Sequence, residues 1–398
     1  MDITIFPKKL SGSIMAIPSK SQAHRLLICA AFSDATTTLR CPSTNQDIEA
    51  TADCLRAIGA VITPTEYGYT VAPVQRIPDS AVLNCRESGS TLRFMLPIVG
   101  ALGINATFEM SGRLPKRPLS PLWEEMERMG CSLSRPTENT IQLNGKLRTG
   151  AYSIDGGVSS QYITGLLFAI SLLDGASKLH ITGKLESKPY VEMTQKALRL
   201  FGVCTDDFAV TGKQLFKTPG DVNVEGDWSN AAFFLAANTL GSQLEILGLD
   251  PESAQGDRAC AKILQTIHDN PIVDAADIPD LVPILAVTAG ICNGAVFQNI
   301  SRLRLKESDR VATVAAMIKN LGGTVQITEN ELHVFPGKYS SCTIDAAGDH
   351  RIAMAAAIAA TVADGPVTIL GAECVAKSYP SFWEEYKRLG GNYEQYIR

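Results

Sequence analysis

The sequence is short of several things, and each shortage excludes a class of protein. No run of about eighteen apolar residues occurs, and the opening Met1 to Lys9 lacks the apolar centre of a signal peptide. We therefore expect a cytoplasmic protein with no membrane partner. The ten cysteines stand singly, with no Cys-x-x-Cys pair and no clustering with the five histidines. That pattern argues against zinc sites and disulfides, so the cysteines read as reduced core residues and no metal is expected. Positive charge is short as well: 36 Lys and Arg against 41 Asp and Glu leave a net charge of −5. Nucleic acid is then not an expected partner, and any anion site must come from a local concentration of cations. The glycine-rich nucleotide loops and the Gly-x-Ser-x-Gly nucleophile elbow are missing too, which weakens nucleotide-binding and serine-hydrolase readings.

What is present begins with length. At 398 residues, 45% of them hydrophobic, the chain exceeds one typical core and suggests two soluble domains. A unit recurs at a period of roughly seventy residues, too long for a solenoid, so each copy reads as a small α/β subdomain. It consists of an apolar helix ending in a Leu-x-x-x-Gly type turn, then two short strands. The helix ends fall at Gly59, Gly130, Gly202, Gly322 and Gly390, with a degenerate sixth copy near Ile263 to Ala275 that lacks the glycine. Six units suggest two pseudo-symmetric domains of three. Glycine ends these helices because the turn needs a left-handed residue at low steric cost.

The chemistry concentrates at helix starts. Arg302 to Arg310 packs six charged residues into nine before Val311, Val314, Ile318 and Leu321 recur at helical spacing, which places Glu307 to Arg310 in a first turn. Ser19 with Gln22 forms a capping box ahead of Leu26 to Ala31, with Lys20 in the first turn. Further polar starts occur at Cys85–Arg93, Ser111–Pro118, Gly156–Gln161, Ser187–Tyr190, Asp227–Asn230, Asp277–Asp280 and Gly348–Arg351. Any one is an ordinary cap. Several carry Lys or Arg where the helix dipole favours an acid, each unfavourable by about 0.3–1 kcal/mol, which a fold tolerates if the positive ends converge on a bound polyanion.

The motifs in order are Pro18 to Arg25, Ser88 to Arg93, Val158 to Gln161, Ser187 to Tyr190, Ile278 to Asp280, Arg304 to Arg310, Asp349 to Met354 and Ala376 to Pro380. Together they resemble the motif set of the 5-enolpyruvylshikimate-3-phosphate synthases over nearly the whole chain. The resemblance implies an α/β fold of two pseudo-symmetric domains, each of three inverted βαβαββ units, closing like a clamp on a substrate cleft. It places residues 1–18 with 227–398 in one domain and 19–226 in the other. It further implies transfer of the enolpyruvyl group of phosphoenolpyruvate to the 5-hydroxyl of shikimate 3-phosphate in the shikimate pathway, by a monomer without metal or organic cofactor.

Carried over residue by residue, the resemblance assigns shikimate 3-phosphate to Lys20, Ser21, Arg25, Ser159, Ser160, Ser187, Asp280, Arg302 and Lys306. It assigns phosphoenolpyruvate to Lys20, Gly89, Arg113, Gln161, Arg310, Arg351 and Lys377. Asp280 is then the base for the 5-hydroxyl proton, Glu307 the acid that protonates the methylene carbon, and Lys20 the cation that neutralises the transferring group. Arg forks and helix N-termini suit two phosphates and a carboxylate. Two positions depart from the family pattern: Glu87 and Arg302 each stand where an Asn is common. The sister enzyme acting on UDP-N-acetylglucosamine shares fold and donor, but its mobile loop carries a Cys just after a Gly, where this chain has Gly112-Arg113. A non-catalytic phosphometabolite sensor would be suggested by loss of Asp280, Glu307 or Lys20, and all three are present.

Overall fold

The structure, a computed structural model, describes residues 1–396. It divides into two compact units: one continuous, Pro18–Val224, the other joining Met1–Ile17 to Glu225–Arg398. Each has its own hydrophobic core. No helix among the described residues is long and apolar enough to cross a membrane.

The continuous unit holds helices α1 (Lys20–Ala31), α2 (Gln46–Ala57), α3 (Gly89–Leu102), α4 (Leu122–Arg128), α5 (Ser160–Leu172) and α6 (Lys188–Leu200). Its three sheets repeat one pattern, a parallel pair extended by antiparallel strands. Asp221–Asn223 runs beside Thr37–Arg40, followed by Gly68–Ala72 and Val61–Thr65. Ser80–Asn84 runs beside Asn105–Glu109, followed by Thr140–Gly145 and Cys131–Thr137. Ala151–Asp155 runs beside Ala176–Thr182, followed by Ala209–Thr211. A parallel pair needs a crossover, and α3 and α5 supply it for the second and third sheets. These two helices pack along each other and are apolar almost all round, so both are buried on nearly every side.

The other unit holds α7 (Trp228–Thr239), α8 (Cys260–Thr266), α9 (Val282–Ile291), α10 (Arg310–Asn320), α11 (His350–Ala360) and α12 (Phe382–Arg388). Ile272–Asp274 pairs in parallel with Ala295–Gln298, extended by Glu331–Phe335 and Thr324–Ile327. Cys342–Asp345 pairs in parallel with Val367–Leu370, and the N-terminal strand Asp2–Phe6 lies between the latter and Asn392–Tyr396. That insertion ties the start of the chain to its C-terminal half. Helices α7, α9 and α11 pack on one another at the centre, and every residue of alanine-rich α11 is buried.

The sixth, degenerate repeat is the sheet Ser11–Met15 with Gln243–Leu247, which has no hairpin after α8. There Asn270 takes the left-handed φ of 50° that glycine takes elsewhere. Gly59 shows why glycine is used: at φ 107°, an added Cβ would sit 2.8 Å from the Arg76 carbonyl oxygen. All ten cysteines are free, and seven are buried.

Candidate active site

In the unit Pro18–Val224 the expected residues gather at the starts of α1, α3, α5 and α6. Ser19 Oγ accepts from the Gln22 N–H at 3.4 Å, which leaves Lys20 in the first turn of α1. Lys20 Nζ pairs with Asp47 Oδ2 of α2 at 2.9 Å. One turn on, Arg25 is 3% exposed. Its Nε donates to Thr194 Oγ1 and its Nη2 to the Tyr190 carbonyl, both at 2.9 Å, and the guanidinium lies 5.3 Å from the Phe94 ring centroid. The hydrogen-bond partners of Arg25 are neutral, so its charge is desolvated without being cancelled.

At α3, Ser88 Oγ accepts from the Thr91 N–H at 3.3 Å and Gly89 follows as the first helical residue. A Cβ on Gly89 would meet Arg93 Nη1 at 2.5 Å and Arg117 Nη1 at 2.6 Å, so glycine is what lets two guanidiniums close over this helix start. Arg93 Nη1 donates to Gln161 Oε1 at 3.1 Å, and Gln161 Nε2 to Ser90 Oγ at 2.9 Å, which stitches the start of α5 to that of α3. Ser159 caps α5 by accepting from the Gln161 N–H at 3.3 Å, and Ser160 is buried beside it. Ser187 precedes α6, buried and left-handed at φ 53°. That conformation costs a non-glycine residue about 1–2 kcal/mol and persists only where the surroundings over-determine it. Ser21 is half-buried on α1, and its carbonyl accepts from Arg25 Nη1.

The sequence points to Arg113, but the side chains nearest Gly89 are Arg93 and Arg117, while Arg113 is exposed. What Arg113 contributes here is its backbone N–H, donated to Glu87 Oε1 at 3.1 Å. Glu87 lies so close to Gly112 that a Cβ there would come within 2.5 Å of its carboxyl carbon. The unusual glutamate thus braces the turn that leads into Arg117. Arg93 and Arg117 were both within reach of the sequence, one four residues after Gly89 and the other just before Pro118.

The second cluster lies wholly in the unit Met1–Ile17 with Glu225–Arg398. Helix α10 starts at Arg310, because Asp309 caps it by accepting from the Ala312 N–H at 3.1 Å. Glu307 therefore precedes the first turn in which the sequence puts it, and Arg302 lies in the 3₁₀ turn Ser301–Leu305. Arg310, 1% exposed, binds three carboxylates: Asp280 Oδ1 at 2.6 Å, Glu307 Oε2 at 2.7 Å and Asp349 Oδ2 at 2.9 Å. Asp280 also pairs with Lys306 and Arg351, each at 3.3 Å. Asp349 caps α11 through the Arg351 N–H at 3.0 Å and accepts from the Ser308 hydroxyl at 2.9 Å. Lys377, 6% exposed, ends the 3₁₀ turn Ala372–Lys377, which packs on α11.

Charge and burial compete here. Burial raises the pKa of Asp280, but Arg351, Lys306 and Arg310 outweigh it and hold the carboxyl well below its usual range. Burial also lowers the pKa of Lys306 further than Asp280 can restore it. Asp257, which sequence reasoning missed because its Gly256–Ala259 turn carries no recognisable motif, is pushed up to about 6 by burial and by Asp280, against the pull of Arg351. Asp257 is thus a protonatable neighbour of the cluster near neutral pH.

The fold is that of solved enolpyruvyl transferases. The enolpyruvyl transferase NikO from Streptomyces tendae superposes with a TM-score of 0.74 at 17% identity over 99% of this chain and 98% of its own. An EPSP synthase from Acinetobacter baumannii superposes with a TM-score of 0.80 at 22% identity, covering 99% of this chain and all of that one. The family model for EPSP synthase (3-phosphoshikimate 1-carboxyvinyltransferase) matches residues 6–386. Among curated relatives, the 3-phosphoshikimate 1-carboxyvinyltransferase of Clostridium kluyveri is 38% identical over 99% of this chain and 98% of its own length. That of Clostridium botulinum strain Alaska E43 is 36% identical over 98% of each. The chain belongs to the EPSP synthase family, and it is a transferase.

Proposed function

We propose that this chain transfers the enolpyruvyl group of phosphoenolpyruvate to the 5-hydroxyl of shikimate 3-phosphate, releasing phosphate, with an acid and a base spaced by Arg310. The observation that carries the chemistry is the Arg310 fork, which holds Asp280 at 2.6 Å on one nitrogen and Glu307 at 2.7 Å on another. Asp280 takes the 5-hydroxyl proton, Glu307 protonates the methylene carbon, and the 5-oxygen bonds to the cationic carbon so formed. Departure of phosphate, which takes the proton held by Asp280, with return of a methyl proton to Glu307 then forms the enol ether and restores both carboxyl groups.

In this reading shikimate 3-phosphate is held by Lys20, Ser21, Arg25, Ser159, Ser160, Ser187, Asp280, Arg302 and Lys306. Phosphoenolpyruvate is held by Lys20, Gly89, Gln161, Arg310, Arg351 and Lys377, with Arg93 and Arg117 in the place expected of Arg113. A carboxylate as strongly ion-paired as Asp280 is a poor base at rest. An incoming phosphate or carboxylate that draws Arg310, Arg351 or Lys306 to itself removes the pairing and raises the proton affinity of Asp280 when the substrate is present. Lys20 stabilises negative charge on the transferring group. We place the reaction in the cytoplasm, where phosphorylated metabolites are retained, and expect a monomer; a dimer mass by light scattering would overturn the latter.

The test is phosphate release by the purified chain given phosphoenolpyruvate with shikimate 3-phosphate or with UDP-N-acetylglucosamine. Release with the first alone is expected. Release with the second alone would assign the sister acceptor, and silence with both would remove the catalytic reading.

A further inference from the structure

A buried polar chain connects two of the helix starts in the unit Pro18–Val224. His24 on α1 places Nδ1 2.7 Å from Thr51 Oγ1 on α2. Thr51 Oγ1 lies 2.7 Å from Thr91 Oγ1 on α3, and Thr91 Oγ1 donates to Ser88 Oγ at 2.8 Å. None of the four side chains is more than 1% exposed.

Proton counting fixes the direction of this chain. Each hydroxyl has one proton, and that of Thr91 goes to Ser88 Oγ at 2.8 Å or, over a longer contact, to the Asp47 carbonyl at 3.4 Å. The contact between Thr51 and Thr91 is then a hydrogen bond only if Thr51 donates, which leaves Nδ1–H of His24 as the donor to Thr51. Nε2 of His24 finds no hydrogen-bond partner among the described residues, and the ring meets Phe94 edge-on at 6.2 Å. A proton on Nε2 would be a buried orphan donor, so the Nδ1–H tautomer satisfies the chain at the smallest cost. An imidazolium is excluded as well: burial, aided by Lys20 and Arg25 and opposed by Asp47, pushes the pKa down to about 3.

We propose that His24 is a positioning residue, donating from Nδ1 into the Thr51, Thr91 and Ser88 hydroxyls so that the start of α3, with Gly89, is locked relative to Lys20 and Arg25 on α1. Ser88 receives both the hydroxyl and the backbone N–H of Thr91, so the chain ends on the cap that sets where Gly89 lies. The functional consequence rests on the phosphoenolpyruvate reading above, since that ligand is assigned to both Lys20 and Gly89.

The test separates the tautomer from the function. In protein labelled with ¹⁵N-histidine at pH 7, His24 should show a protonated Nδ1 and an unprotonated Nε2; the opposite tautomer would overturn the proposal. His24→Asn puts an amide nitrogen near the position of Nδ1, whereas His24→Gln reaches towards that of Nε2, and Thr51→Val cuts the chain. His24→Asn should leave the Gly89 amide resonance in place and the KM for phosphoenolpyruvate within about twofold. His24→Gln and Thr51→Val should shift that resonance and raise the KM about tenfold, with kcat little changed. Equal effects of His24→Asn and His24→Gln, or an unmoved Gly89 amide in Thr51→Val, would overturn the proposal. If the wild-type chain releases no phosphate, the reaction reading fails, while the tautomer and the Gly89 resonance still decide this one.

Discussion

The two units hold their most buried arginines by opposite means, although Lys20 in Pro18–Val224 is paired with Asp47. In Pro18–Val224, Arg25 is fixed by hydroxyl and carbonyl oxygens. In the other unit, Arg310, Arg351 and Lys306 are set against Asp280, Glu307 and Asp349. Neutral dipoles orient a cation and leave its field intact, so an anion can dock without displacing a competitor. Carboxylates cancel the field, so an anion must exchange with them, and the carboxylates it displaces become better bases. One arrangement suits holding a phosphate; the other suits coupling binding to proton transfer.

The comparison breaks most visibly at the acids. Asp280→Asn and Glu307→Gln should each lower kcat by about 10²–10⁴-fold while substrate binding by calorimetry persists. A variant turning over near the wild-type rate would remove that residue from proton transfer. The next largest effect is on folding. Arg310→Met leaves buried carboxylates uncompensated and should destabilise the protein by about 3–5 kcal/mol in urea, whereas Arg25→Met, whose partners are neutral, should cost roughly 1–2 kcal/mol. Equal losses would erase the distinction between the two clusters. Arg117→Ala should then raise the KM for phosphoenolpyruvate by roughly 10–100-fold and Arg113→Ala by less than about threefold, as charge-assisted hydrogen bonds predict. The reverse order would restore Arg113.

The smallest effect concerns acid. His24 has its pKa depressed from 6.5 to about 3, so the stability it reflects is complete above 6.5 and declines as pH falls towards 3. Asp280 and Asp349 are depressed below the ordinary 3.8, so their contribution is retained above that value and lost only below it. Asp257, raised to about 6, binds its proton more tightly in the folded state and favours folding as pH falls from 6 towards 3.8. As pH falls from 6.5 to 4, amide protection factors, corrected for the intrinsic exchange rate, should therefore fall first in Pro18–Val224, by at most about 1.4 kcal/mol per pH unit. Earlier loss in the other unit would contradict this assignment of buried charge.

The repeat was legible in the sequence because helix ends need a left-handed residue, and glycine marks it in five of six copies; Asn270 hid the sixth by taking the same conformation. The helix starts were legible because caps are local, as Ser19, Ser88, Ser159, Asp309 and Asp349 illustrate. Composition, the order of motifs and the types of side chain at those starts were likewise written in the chain, and they sufficed for the family and its chemistry. Which side chains meet was decided only by the fold. That Arg117 and not Arg113 reaches Gly89, that Arg310 meets Asp280, and that His24 is joined to Ser88 through two other helices are contacts between residues distant in sequence. Hydrogen bonds and ion pairs act over a few ångströms in space, and no local pattern records the tertiary path that brings their partners together.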